Sequence, residues 1–165
     1  MDLTVRTARD EDLLPLTELY NHYIENTAIT FDLEPYTVSG RQLWFDQFKQ
    51  SERYRLLIAE KAGNVVGYAC SGRFHPKEAY QTSVETSIYL HPDVVQGGIG
   101  TELYRHLFEE LSHIDVHRAY AGITVPNDAS FRLHEKFGFK VAAVYREVGR
   151  KFGVYHDVHW MEKEV

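Results

Sequence analysis

Cysteine is almost absent from this chain: Cys70 stands alone among 165 residues. An intramolecular disulfide is therefore excluded, as is a zinc site built on several thiolates. Long apolar runs are missing too. No stretch approaches the ~18 residues that a membrane span needs. The opening segment, MDLTVRTARDEDLLP, carries acids too early for a secretory signal. Prolines number five and are scattered, with no repeat, low-complexity tract or linker. Basic residues are in deficit: 18 Lys and Arg against 24 Asp and Glu leave a net charge of −6. That balance argues against a general nucleic-acid binder, although a local basic patch could still hold phosphates.

What is present suits a single domain over residues 1–165, since chains usually divide only beyond about 200 residues. The 44% hydrophobic and 13% aromatic content excludes a disordered chain, and a chain of this size buries roughly 70% of its unfolded surface. The expectation is a globular, cytoplasmic protein with no membrane or nucleic-acid partner.

Leu3–Thr7 reads as a short strand. Asp10 is placed to cap a first helix, along which Leu13, Leu16, Leu19, Tyr20, Tyr23 and Ile24 keep helical spacing. Residues 26–36 are irregular, and Leu43, Trp44 and Phe48 suggest a second, short helix. Arg55–Glu60 and Val65–Arg73 read as strands joined by a turn at Ala62-Gly63-Asn64. In a further strand, Ser83–Leu90, alternation puts Glu85, Ser87 and Tyr89 on one face and Val84, Thr86, Ile88 and Leu90 on the other, toward a helix layer. Ile99, Leu103, Leu107 and Leu111, widened by Tyr104 and Phe108, predict an amphipathic helix over 99–112. Then follow a strand at 120–125, a helix capped by Asn127 or Asp128 and ended by Gly138, and strands at 139–146 and 154–162 around a turn near Gly149 and Gly153. Several neighbouring strands lack a crossover helix. The fold class is therefore α/β with a mixed (α+β) sheet rather than a doubly wound one.

The informative segment is Ile88 to Gly100, IYLHPDVVQGGIG, which runs from strand through a glycine-rich loop into the long helix. Backbone N–H groups at a helix start are unpaired and the dipole adds positive potential, so the segment could cradle a pyrophosphate. The same glycines could simply turn a loop into a helix. Two other phosphate motifs fail. A P-loop would end in Gly-Lys-Ser/Thr where this chain has Gly100-Thr101-Glu102, and the dinucleotide fingerprint would need a glycine at Leu103. His156 and His159, three apart in a strand, face opposite sides, so no metal is expected. Cys70 alternates with Tyr68 and reads as a small buried residue.

This strand, loop and helix resemble the acetyl-CoA site of the GCN5-related N-acetyltransferase (GNAT) superfamily. The likeness runs through Leu19–Tyr23, Thr30–Pro35, Val84–Tyr89, Asn127–Ser130, Leu133–Phe139, Arg146–Gly153 and His156–Val158. It narrows to the phosphinothricin and methionine-sulfone type of small-molecule acetyltransferase. The resemblance implies a single-domain acyl-CoA N-acyltransferase fold with acetyl-CoA as co-substrate and no metal. Main-chain groups of Ile88, Tyr89 and Leu90 would pair with the pantetheine arm and polarise the thioester carbonyl. Gln96, Gly97, Gly98, Ile99, Gly100 and Thr101 would cradle the pyrophosphate, with Asn127 and Ser130 beside the arm.

Glu85 stands where the family places a general base for the amine; by itself it would read as an exposed strand glutamate. His134 stands where the family returns a proton to the thiolate; by itself it could equally be a packed helix histidine. Tyr89 and Tyr104 read as packing residues. The acceptor would meet Phe31, Arg73, His75, Tyr80 and Glu85. Arg146, Arg150 and Lys151 could form a solvated turn, but the resemblance puts this hairpin near the acceptor pocket or a dimer contact.

Two positions depart from the pattern. Val95, followed by Gln96, stands where a side-chain phosphate contact is usual, and His75 replaces an arginine that would grip an acceptor carboxylate in two-pronged fashion. The reading is a homodimeric N-acetyltransferase for a small amino-acid-like amine. The alternatives are a peptide or protein N-terminal acetyltransferase and a non-catalytic CoA-binding sensor.

Overall fold

The computed structural model describes residues 3–94 and 97–165. Seven strands form one sheet in the order β1-β2-β3-β4-β5-β7-β6. They are β1 (Leu3–Thr7), β2 (Arg55–Lys61), β3 (Asn64–Arg73), β4 (Ser83–Leu90), β5 (Arg118–Thr124), β6 (Lys140–Lys151) and β7 (Val154–Glu164). Four helices accompany them: α1 (Leu13–Asn26), α2 (Gln42–Asp46), α3 (Ile99–Leu111) and α4 (Asp128–Lys136). The sheet is mixed as expected, because every paired neighbour is antiparallel except β4 and β5. Among the described residues no helix is long and apolar enough to cross a membrane.

The alternation of β2 and β3 sends side chains into two separate cores. Leu57, Ala59 and Ala69 join Val84 and the α3 stripe of Leu103, Leu107 and Leu111 on one face. Leu56, Ile58, Tyr68 and Cys70 meet Leu13, Leu16 and Leu19 of α1 and Phe45 of α2 on the other. Cys70 is buried there, and desolvation pushes its thiol pKa up to about 12, so it stays protonated at neutral pH.

Asp10 does not cap the first helix. It pairs with Lys49 at 2.8 Å on the surface. A 3-10 turn over Asp10–Asp12 leads into α1, and Asp12 is the residue that turns back. Its carboxylate accepts the Arg9 N–H at 2.7 Å and the Arg6 guanidinium at 2.7 and 2.9 Å. Asn127 caps α4 as expected, its Oδ1 accepting the Ser130 N–H at 3.2 Å. Gly138 ends that helix at φ 86°, a conformation that costs glycine nothing.

The last hairpin is longer than expected. The β6 strand continues past residue 146 through an irregularity between Tyr145 and Gly149, and the tight turn falls at Phe152 and Gly153. This extension docks on the loop that follows α1. Lys151 is buried and its Nζ donates to the Thr30 carbonyl at 2.8 Å. Gly149 lies directly under the Phe31 ring, where an added Cβ would stand 2.1 Å from Cε2. A strand residue at the chain's far end thereby fixes the shape of the 27–36 loop.

Candidate functional site

The site starts from a break in the sheet. Strands β4 and β5 pair only from Ser83 with Arg118 to Glu85 with Tyr120. Beyond Glu85 they part, so the β4 edge from Thr86 onward faces a gap where its main-chain polar groups need other partners. The gap is a cleft of about 240 Å³ floored by residues 86–90 and 121–124 and walled by Asn127, Ser130, Leu133 and His134 of α4 and its cap. Tyr23 reaches over from α1, its hydroxyl donating to the Leu90 carbonyl at 2.6 Å. The cleft therefore presents a strand edge able to hydrogen-bond an extended arm, beside apolar walls for its methylenes.

The N-terminus of α3 completes that side. Gly98 is its N-cap at φ 78°, and a Cβ at Gly97 or Gly98 would meet nothing within 4 Å among the described residues. The main chain there is open to an approaching anion, in the field of a 13-residue helix. Gly100 does a different job: a Cβ there would come within 3.3 to 3.6 Å of Leu133, Ile88 and Leu90, so it lets α3 close on β4 and α4. Lys136, which the sequence reading passed over, donates to Thr101 Oγ1 at 3.3 Å and adds a positive charge to this helix start. Val95 and Gln96 lie outside the described residues, and with them the expected side-chain contact to phosphate.

Glu85 is the last residue of β4 that pairs with β5, half-buried, with no side-chain hydrogen-bond or ion-pair partner among the described residues. Desolvation raises its carboxyl pKa, which favours proton acceptance nearer neutrality. It lies on the strand face of Ser87 and Tyr89, about 7 Å along from Ser87 at ordinary strand rise. Ser87 and Tyr89 line both the cleft and a second cavity of about 140 Å³, which is bounded by Tyr20, Asp32, Arg41 and Cys70 on the α1–α2 side.

His134 is 2% exposed and both ring nitrogens are engaged. Nδ1 lies 2.7 Å from the Ser130 carbonyl, which can only accept, so Nδ1 carries the proton in the neutral ring. Nε2 then accepts from the Tyr104 hydroxyl at 2.8 Å. Burial lowers the imidazole pKa, against a smaller upward push from the Ser130 carbonyl. Tyr104 is fully buried in the core beside α3 and also borders the cleft.

The expected acceptor contacts are not brought together. Arg73 is exposed and in register with Val84, which puts it on the face opposite Glu85. His75 and Tyr80 are exposed with ring centroids 4.6 Å apart. Phe31 lies against Gly149 and His156. None of the four lines the cleft or the second cavity, and neither does Glu85, which stands one strand-face step from the Ser87 that borders both. Instead the structure gathers Tyr20, Asp32, Arg41 and Tyr68 around that cavity, from segments that no local motif connects.

A strand that leads to a glycine-opened helix start is the arrangement expected from the resemblance, and the profile of the acetyltransferase (GNAT) domain matches residues 5–160. The chain belongs to this family. As a GNAT N-acetyltransferase it is 50% identical over 164 residues to a phosphinothricin N-acetyltransferase of Streptomyces coelicolor, covering 98% of this chain and 96% of that one. It is 34% identical over 163 residues to an L-methionine sulfoximine/L-methionine sulfone acetyltransferase of Salmonella typhimurium, covering 99% and 95%. Among solved structures, a GNAT phosphinothricin acetyltransferase from Sinorhizobium meliloti in complex with acetyl-CoA superposes with a TM-score of 0.94 at 29% identity, covering all of this chain and 89% of that one.

Proposed function

We propose that this GNAT domain, residues 1–165, transfers the acetyl group of acetyl-CoA to the α-amine of a small amino-acid-like acceptor of the phosphinothricin, methionine sulfone or methionine sulfoximine kind, in the cytoplasm. The observation that carries the proposal is the parting of β4 and β5 immediately beyond a half-buried Glu85 that has no side-chain partner among the described residues. The residues present suit acetyl-CoA: an open β4 edge for the amide-bearing arm, and the α3 N-terminus with Lys136 for the pyrophosphate. When bound, acetyl-CoA supplies the thioester carbonyl that the amine attacks.

The chain's own residues then do the following. The main chain of Ile88, Tyr89 and Leu90 aligns the arm and offers donors to charge developing on the carbonyl oxygen. Asn127 lines the cleft beside Ser130, and with its oxygen committed to the helix cap its NH₂ is the group left to pair with the arm. Glu85 takes the proton from the protonated amine, directly or through one water. His134 is a positioning residue. By accepting from Tyr104 it holds that side chain in the wall of the cleft, and the proton that the nitrogen sheds as the amide forms goes to the departing thiolate.

The exposed apolar side chains of the β6–β7 hairpin support a homodimer. Val141, Tyr145, Val148, Phe152, Val154 and Tyr155 are each 51 to 63% exposed, and large apolar side chains left exposed along one hairpin suit an interface. Light scattering at micromolar concentration is expected to give twice the chain mass; a monomer mass contradicts it.

Thiol release from acetyl-CoA on a panel holding phosphinothricin, methionine sulfone, methionine sulfoximine and short peptides tests the activity. Turnover of the free amino-acid analogues is expected. Turnover of peptides alone would make the chain an N-terminal acetyltransferase, and cofactor binding with no turnover would make it a sensor.

A further inference from the structure

Arg41 is 3% exposed, yet no carboxylate among the described residues stands within ion-pair distance of it. Its guanidinium is clamped between two aromatic faces, 3.8 Å from the Tyr20 ring centroid and 4.0 Å from that of Trp44. Nη1 donates to the Leu16 carbonyl at a long 3.5 Å and Nη2 to the Tyr68 hydroxyl at 3.1 Å. A guanidinium has five N–H donors, so most of its capacity is unspent. Aromatic faces supply part of what a buried cation needs, but the fitting complement is an anion that accepts two parallel hydrogen bonds.

The cation borders the second cavity, of about 140 Å³, with Asp32 on the same wall. Asp32 does not pair with it; its Oδ2 accepts from the hydroxyls of Tyr20 at 2.6 Å and Tyr36 at 3.4 Å. The cavity thus holds one positive and one negative group, and it meets the cleft at Ser87 and Tyr89, one strand-face step from Glu85. A dipolar molecule seated there would find its cationic partner at the aromatic clamp, with Asp32 and the β4 strand face left for its amine.

We propose that Arg41 binds the α-carboxylate of the acceptor and so selects amino acids over amines that lack one. The inference rests on the N-acetyltransferase reading above. It also answers the replacement of an expected arginine by His75, which lies exposed outside both cavities. A purely structural Arg41, tying α1 to β3 through Leu16 and Tyr68, would serve all acceptors alike.

The test compares kcat/KM for methionine sulfone and phosphinothricin with that for their α-methyl esters, first on the wild-type protein. A preference for the free acids of about 30-fold or more is expected, the worth of a desolvated charge pair. Arg41→Gln should collapse that ratio toward unity, chiefly through KM, with Arg41→Lys in between. Wild-type protein that uses ester and acid equally overturns the inference without any variant having to fold. So does a folded Arg41→Gln protein that keeps the wild-type ratio, or loses rate equally on both acceptors. Failure of the wild type to acetylate any member of the set, acid or ester, overturns instead the functional reading on which the inference rests.

Discussion

The two cavities that meet on β4 are built in opposite ways. The cleft toward α3 and α4 is assembled from short continuous runs, residues 86–90 and 121–124 and the start of α4, and much of what it offers is main chain. The cavity toward α1 and α2 is assembled from side chains at Tyr20, Asp32, Arg41, Tyr68 and Ser87, each from a different element or loop. Main-chain recognition asks only that a strand edge and a helix start be left open, so it tolerates changes in most side chains. Side-chain recognition depends on each group separately and can be retuned one residue at a time. The first half suits a partner of fixed chemistry and the second an acceptor that differs between relatives.

That contrast can be broken at the cofactor half first. Gly98→Glu should give the largest effect on binding. A Cβ there meets nothing within 4 Å among the described residues, so the local cost is the left-handed φ of 78°, about 1–2 kcal/mol, and the melting temperature should fall by only a few degrees. The new carboxylate would stand among phosphates; like charges about 5 Å apart at an effective dielectric of about 20 repel by about 3 kcal/mol. Calorimetry should therefore show acetyl-CoA affinity reduced by more than about 10²-fold, with the circular dichroism retained. Unchanged affinity would remove the phosphate role from this helix start.

A smaller effect is expected at His134, in the α4 wall of the cleft. Its pKa is lowered in the folded state by burial, so the unfolded chain binds the proton more readily. Stability contributed by the neutral ring is present above the unfolded value of about 6.5 and is lost as pH falls below it, by at most about 1.4 kcal/mol per pH unit. In urea melts, His134→Gln should be less stable than wild type at pH 7.5 but should lose less on going to pH 5.5. Equal losses for the two proteins would contradict the neutral, doubly bonded ring.

Legibility in the sequence follows the same division. The strand Ser83–Leu90 and the helix beginning at Ile99 have the predicted starts, because alternation and four-residue spacing are local properties. Asp10 was misread because the helix start is governed by Arg6, on a strand whose carboxylate partner, Asp12, is set by tertiary contact. The length of β6 was missed because Glu147 at φ 49° is held by the Asp157 carboxylate across the hairpin, at 2.7 Å. Arg41 carried no local signal at all. An arginine followed by Leu43 and Trp44 reads as the polar face of a short helix, and only the fold shows it enclosed by Tyr20 and Trp44. Glu85 was legible as a strand residue, but that β4 and β5 part just beyond it is a property of the sheet.

The central claim is that Glu85, at that parting, accepts the amine's proton. The direct measurement is turnover of wild type and Glu85→Gln with acetyl-CoA and phosphinothricin or methionine sulfone across pH 6.5 to 9. At pH 7 the variant should be slower by about 10²–10⁴-fold, the usual worth of a general base, with acetyl-CoA affinity little changed. The ratio of the two rates should then shrink as pH rises and more amine arrives already deprotonated. A variant within about threefold of wild type at pH 7, or a large defect that is the same at every pH, would contradict the account.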